Sequence, residues 1–419
     1  MQNFSPLSKP FVVISHIAHN AVIEGFLPSL IHKGHAVVIV TDYAQDHEMR
    51  LTHLDNKPQI IECDVFNPLS VLSALIKNRI SPAAVFSNSD HLQVVTSLVA
   101  EYFRCPSKKW EICFAAKNKA AFRARQQQLG LPMPWSFVVG AGAELPSAIP
   151  YPVVAKPVEG VASMDVQLCR NAAELKAFLQ NFMPKHQKGI ALEAYLEGTL
   201  FTLETLGDGV NIAAIGGFDV SLSPPPYFIE KSALWNGPVG IKYRTQALAQ
   251  IAAFGVGFGV CHSEFIATEA GPVLVEINYR SIGDGREFLL DRLLGRKWFS
   301  TILKLYQGVS LPEAMDEGIL LYESGIEGAA LPVAGIFYGV ADHGGILTEV
   351  SPSITQEDDD GWWMYRALRK VGDRIVVTHS NKDYIGILQI IAPTQEDLWV
   401  QKQVLEKKFG FTVKEEVSA

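Results

Sequence analysis

The chain has little cysteine and sets none of it in a pattern. Its five cysteines (Cys63, Cys105, Cys113, Cys169 and Cys261) form no C-x-x-C pair. Neither a zinc site nor a disulfide framework is therefore expected, and buried free thiols are. Long apolar runs are missing too: no stretch approaches the roughly 20 residues that span a bilayer. The opening residues, MQNFSPLSKPFVVISH, lack the basic, apolar, small-residue order of a signal peptide, which points to a cytoplasmic location with no membrane partner. Positive charge is in deficit, with 36 Lys and Arg against 44 Asp and Glu. A nucleic-acid partner needs a basic stripe, so none is expected. Both G-x-G-x-x-G and the Walker pattern GxxxxGK[ST] are absent, and with them the familiar dinucleotide and phosphate loops.

What is present is enough apolar residue, 48% of 419 positions, to build two or three domains. In the first third, short strands at Phe11–Ile14, Ala36–Val40 and Pro82–Ser87 alternate with helical stretches over Ala21–Lys33 (closed by Gly34) and Leu69–Lys77. That alternation predicts an α/β domain with a parallel sheet covered on both faces. Ser87-Asn88-Ser89-Asp90 falls at the carboxyl end of its strand, where open α/β sheets place ligands. His16 and His19, at the same edge, read as polar loop contacts.

A second pattern begins near Lys117. The segment KNKAAFRARQQQLGLPMP predicts a helix stopped by Gly130, Pro132 and Pro134, with Arg125 facing solvent. Further on, YPVVAKPVEGVASMDVQLC predicts the strand Val153–Ala155, then Lys156, then a loop with Gly160, Ala162 and Ser163, then the strand Val166–Leu168. Small residues let backbone N–H groups approach an anion closely. A lysine in an apolar strand is costly unless an anion partners it, and a phosphate is one. A helix follows over Ala172–Phe182.

The stretch HSEFIATEAGPVLVEINYR reads as a hairpin with arms Ser263–Ala267 and Pro272–Ile277 around Glu269-Ala270-Gly271. Glu276, Asn278 and Arg280 are spaced by two, so they share one face of an extended strand, and pairing brings Glu264 beside them. Two carboxylates and an amide oxygen are hard ligands suited to Mg²⁺. An arginine beside them suits charge developing on a transferring phosphoryl group.

These stretches, in this order, resemble the motifs of the ATP-grasp ligases. The pattern E-x11-E-x-N-x-R is similar to that family's metal-binding signature, which implies Glu264, Glu276 and Asn278 as metal ligands and Arg280 as the catalytic contact to an acyl-phosphate. "NK-x3-R" followed by the Gly130–Pro134 turn matches the segment whose lysine, here Lys119, reaches nucleotide phosphates; Arg123 is its arginine. The Lys156–Ser163 region resembles the lid hairpin over the phosphates, with Lys156 in both a binding and a catalytic role, and with Asp165 where the family more often has glycine. ALEAYLEGTLFTLETLGDG resembles the hinge strand. It implies nucleotide contacts from Glu193, from the backbone of Ala194, Tyr195 and Leu196, and from Glu204; Leu200 replaces a common glutamate.

The resemblance implies an α/β ATP-grasp fold in three parts. These are an N-terminal Rossmann-like parallel-sheet domain (1–116), a small α+β lid (117–195), and a large mixed α+β C-terminal domain (196–419). The proline-rich segment after Phe218 is then placed to line an acceptor pocket, through Tyr227, Glu230 or Trp235. Beyond the Ser281–Gly285 turn and a helix over Glu287–Leu294, strands are expected at Ala330–Val340 and Gly345–Val350. A strand pair (Arg374–Thr378 with Tyr384–Ile391), an acidic loop (Glu357–Asp360) and a helix (Glu396–Phe409) close the chain, without a catalytic constellation. The implied activity is phosphorylation of a small-molecule carboxylate by ATP with Mg²⁺ (or Mn²⁺), then attack by an amine, as in dipeptide or siderophore synthesis; a homodimer is compatible with it. Three other readings stay open: an ATP-grasp carboxylase, a ligase of phosphorylated purine intermediates, and a non-catalytic nucleotide-binding regulator.

Overall fold

The computed structural model describes residues 9–54, 56–140, 142–160, 162–315, 332–358 and 361–415. Residues 330–331 of one expected strand, and 359–360 of the acidic loop, lie outside them.

The first unit is a four-stranded parallel sheet in the order Gln59–Glu62, Val37–Thr41, Phe11–Ile14, Ala84–Phe86. Its central strands are buried along their whole length, as strands covered on both faces must be. The stretch expected as one helix over Ala21–Lys33 starts as a wide π-type turn over Ala21–Phe26 and tightens to an α-helix only at Leu27. Gly25 explains part of that packing, since a Cβ there would stand 2.5 Å from the Phe299 ring. Phe26 meets Phe299 edge-on at 4.9 Å, and Phe86 meets Tyr306 at 5.0 Å. One apolar core thus joins this unit to the helix Trp298–Tyr306 and the sheet behind it.

That sheet is the organising element. Among the described residues, ten antiparallel-paired strands run in the order Gly271–Asn278, Phe258–Thr268, Thr199–Asp208, Phe218–Leu222, Glu230–Trp235, Val333–Val340, Tyr384–Ala392, Gly361–Ala367, Ile354–Asp358, with Ile212–Gly216 added to Thr199–Asp208. The 17-residue helix Pro238–Phe254 covers one face and ends on Gly255 in the left-handed conformation. The proline-rich segment after Phe218 is therefore mostly a hairpin, with 223–229 as its only loop.

The lid is a separate antiparallel sheet of four strands, ordered Ser136–Val139, Ile190–Ala194, Val153–Pro157, Gln167–Cys169. The helix Lys119–Gln128, capped by the Asn118 side chain on the Ala120 and Ala121 amides at 3.1 Å, packs elsewhere. Phe122 lies against Phe254 and joins the core under the central sheet. Arg125, expected in solvent, is half-buried and donates from Nε to the Phe254 carbonyl at 2.6 Å. Near the C-terminus, Arg374–Ile375 pairs with Gly345–Val350 and not with Tyr384–Ala392, which joins the central sheet instead. No helix among the described residues is long and apolar enough to cross a membrane.

Candidate active site

A single cavity opens between the lid sheet, the hairpin Phe258–Asn278 and the turn after it. Lys119, Lys156, Ser163, Glu193, Ala194, Tyr195, Leu196, Glu264, Glu276, Asn278 and Arg280 all line it. Of the residues singled out from the sequence for nucleotide, metal or catalysis, Glu204 alone does not.

Pairing of the hairpin arms sets the acidic end. Glu264 stands opposite Glu276 and His262 opposite Asn278, with a bulge after Glu264. Directly opposed residues share a face, so the alternation puts all four side chains on the cavity side. Asn278 donates from Nδ2 to Glu264 Oε1 at 3.3 Å. The next strand adds a layer behind them. His262 Nδ1 lies 2.7 Å from Glu204 Oε1 and its Nε2 lies 3.4 Å from Glu264 Oε1. Burial opposes charge on His262, but Glu204 and Glu264 outweigh it and raise its pKa to about 10. Burial pushes the Glu264 carboxyl up, and the contacts with His262, followed by Arg280, bring it below its usual value. Glu204, expected at the nucleotide, lies one layer behind the cavity lining, where it bonds His262 and accepts from Thr202 Oγ1 at 3.2 Å. It is fully buried because strand register puts it directly opposite His262. His262 was missed as a site residue, although its H-x-E spacing already set it on the same face as Glu264.

Arg280 follows the strand. Its main-chain N–H donates to the Asn278 carbonyl at 2.7 Å, and Nη1 donates to Ser281 O at 2.8 Å. The N-terminal unit braces this segment: Asn88 Oδ1 accepts from Ser281 N–H at 3.2 Å, and the buried Lys108 ammonium donates to the Tyr279 carbonyl. Desolvation lowers the Lys108 pKa to about 8. The carboxyl edge of the parallel sheet therefore supports the arginine instead of lining the cavity.

At the lid end, Glu193 gathers two cations. Arg123 meets it through Nε–Oε1 and Nη2–Oε2, both 2.8 Å, and Lys156 Nζ lies 2.7 Å from Oε2. Burial pushes the Glu193 carboxyl up, but Lys156 and Arg123 overcome it and hold the pKa at about 2. Arg123 also donates to the Leu274 and Val275 carbonyls at 3.2 Å, which ties the lid strand to the hairpin. Both Glu193 oxygens are thus engaged by cations. In the hinge, the Ala194 and Tyr195 amides are held by the Trp135 and Pro152 carbonyls. Among the described residues the Leu196 N–H is the one amide of the three with no such partner. The lid loop carries Ala162, Ser163 and Asp165 at φ of 56°, 54° and 55°, a conformation that glycine adopts more easily. Asp165, where the resemblance favours glycine, pairs with His186 at 2.8 Å.

The remaining wall was read from the sequence only in part. Glu230 lines the cavity and forms an ion pair with the buried Arg286, whose Nε donates to the Tyr338 hydroxyl at 2.9 Å. Trp235 is packed in the core and Tyr227 stacks on His379 at 4.0 Å; neither lines the cavity.

No family model matches the chain. Among curated proteins, it is 28% identical over 214 residues to the uncharacterised protein y4rH of Sinorhizobium fredii, covering 48% of this chain and 44% of that one. It is 23% identical over 220 residues to dapdiamide A synthase of Enterobacter agglomerans, covering 49% and 51%. The chain spans about half the length of the curated relatives it matches. Likeness to solved structures is far more extensive. L-amino acid ligase from Bacillus licheniformis superposes with a TM-score of 0.76 at 18% identity, covering 97% of this chain and 99% of that one. Biotin carboxylase from Campylobacter jejuni, solved with β,γ-ATP, gives 0.65 at 16% identity, covering 97% and 92%. With a parallel N-terminal sheet, a four-stranded lid and a large antiparallel sheet around one cavity, the chain has the ATP-grasp fold.

Proposed function

We propose that this chain is an ATP-dependent carboxylate–amine ligase, which phosphorylates a small-molecule acid to an acyl-phosphate, joins it to an amine, and releases ADP and phosphate. One observation carries this reading. One cavity is lined by Lys119 and Lys156 together with Glu264, Glu276 and Asn278, the mix of cations and oxygen donors a metal–polyphosphate needs, and by Arg280, which suits the acyl-phosphate made from it.

The donor set fits a divalent ion of the Mg²⁺ or Mn²⁺ type. It offers carboxylate and amide oxygens only, and among the described residues no group of three His, Cys, Asp or Glu side chains stands ready to hold a metal. Protein ligands this few leave positions for phosphate oxygens, as Mg²⁺ sites commonly do. A bound divalent ion would supply charge neutralisation of the phosphates. In this reading Lys119 and Lys156 bind the phosphate oxygens, with Glu193 holding Lys156 in place. Arg280 stabilises the oxyanion formed when the amine adds to the acyl carbon. Glu230 and Arg286 wall the acceptor side, and the lid excludes water. Rate enhancement then comes from positioning and preorganised charge.

A coupled ADP-release screen over pairs of amino acids and hydroxycarboxylates tests this. The expected result is release that requires both an acid and an amine. Release that depends on bicarbonate would instead assign a carboxylase, and nucleotide binding without turnover in any mixture would leave a regulator.

A further inference from the structure

The C-terminal region sends one turn, Thr378–Asp383, into the cavity wall. The turn is locked by its own side chains. Thr378 donates to the Asp383 carboxylate from Oγ1 at 2.6 Å and from its amide at 2.9 Å. The Ser380 amide donates to Asp383 Oδ2 at 3.3 Å, and the Lys382 amide to Ser380 Oγ at 3.2 Å. Asn381, buried and lining the cavity, is left to bond two other parts of the molecule. Its main-chain N–H donates to the carbonyl of Ala162 in the lid loop at 3.1 Å. Its Oδ1 accepts the Glu230 amide at 3.1 Å, and its Nδ2 donates to Glu230 Oε1 at 3.5 Å. A second bond runs parallel to the first: Leu168 of the lid donates its N–H to Pro226 O at 2.9 Å.

We propose that Asn381 is a positioning residue that couples closure of the lid over the phosphate end to assembly of the Glu230–Arg286 wall at the acceptor end. The name "acceptor end" rests on the ligase reading; the coupling does not. The bond to Ala162 exists only when the lid loop is docked. A nucleotide that favours the docked lid therefore favours the ordered turn and Glu230, and by linkage an occupant held at Glu230 tightens nucleotide binding by the same factor.

Two variants separate the links. Asn381→Ala removes the side-chain bonds to Glu230 and keeps the N–H to the lid. Asn381→Pro removes both, at a site that tolerates it. Position 381 opens a short helical turn, where proline is accepted, and Ser380 before it is extended at φ −141°, ψ 175°, as a residue preceding proline prefers. The probes are calorimetry and hydrogen exchange with Mg²⁺ and a non-hydrolysable ATP analogue. In the wild type the analogue should slow exchange at the amides of 162–168, 378–383 and 229–231 together. Asn381→Ala should bind the analogue within about two-fold of wild type and lose only the protection of 229–231. Asn381→Pro should bind it roughly five-fold more weakly than Asn381→Ala, the worth of one hydrogen bond, and should lose protection of 378–383. Equal affinity in the two variants, with 378–383 still protected, would overturn the proposal. If the proline variant does not fold, the Asn381 amide of the wild type decides: slowing by the analogue supports the coupling, and unchanged exchange refutes it. ADP release by the wild type with acid–amine pairs is a separate readout, so failure of the ligase reading and failure of the coupling are told apart.

Discussion

The lid and the hairpin each present a carboxylate to the same cavity, and the two are handled in opposite ways. On the lid strand, Glu193 is buried and saturated by Arg123 and Lys156. On the hairpin, Glu276 is half-buried, and among the described residues its carboxylate has no hydrogen-bond or ion-pair partner. A buried charge must be neutralised by the protein itself for the fold to exist. A charge left open to the cavity can wait for a cation that arrives with the ligand. Glu193 should therefore serve stability and Glu276 turnover, and Glu264, which shares His262 and Asn278, falls between them.

Substitutions can break that contrast. The largest effect is expected for Arg280→Ala, which should abolish product while leaving affinity for an ATP analogue within about two-fold, since its charge is needed only once the acyl-phosphate reacts. Rapid-quench assay beside calorimetry reads both. Next is Glu193→Ala, which strands two cations; urea unfolding should show a loss of about 3–5 kcal/mol. Its titration has a definite sign. The folded carboxyl is held at about 2 against an ordinary 4.5, so its contribution is complete above about pH 4.5 and disappears as the pH falls towards 2. Glu193→Gln should flatten the wild-type decline in that window, and an unchanged slope would remove Glu193 from the account. Glu276→Gln should cost about 100-fold in turnover, roughly 2.7 kcal/mol of transition-state stabilisation, and Asn278→Ala less because it offers one neutral oxygen. Neither should move the unfolding midpoint appreciably; a large shift would erase the distinction between the two carboxylates. The smallest effect belongs to Lys188→Ala. Its pair with Glu159 at 2.7 Å has a lysine side chain 69% exposed, and such pairs contribute under about 1 kcal/mol.

Local pattern was enough for much of this molecule. Alternation along HSEFIATEAGPVLVEINYR determined the hairpin and the shared face of Glu276, Asn278 and Arg280, because side-chain direction in a strand follows from spacing alone. The same holds for the parallel strands of the first unit, whose apolar runs need covering on both faces, and for the helix Ala172–Phe182, which the structure shows capped by Asn171. Tertiary structure decided everything that depends on which strand lies next to which. Glu204 belongs behind His262 because Thr199–Asp208 pairs with Phe258–Thr268 in that register, a choice made 58 residues apart. The helix Lys119–Gln128 packs under the central sheet, although sequence order sets it beside the lid. Trp235 is core, although its place near the proline-rich segment suggested a pocket wall, and Asn381 lines the cavity from a region whose sequence shows no catalytic constellation. Spacing within one segment is set by covalent geometry and can be read along the chain; pairing between distant segments is set by the competition to bury apolar surface and satisfy polar groups, which is settled only when the whole chain folds.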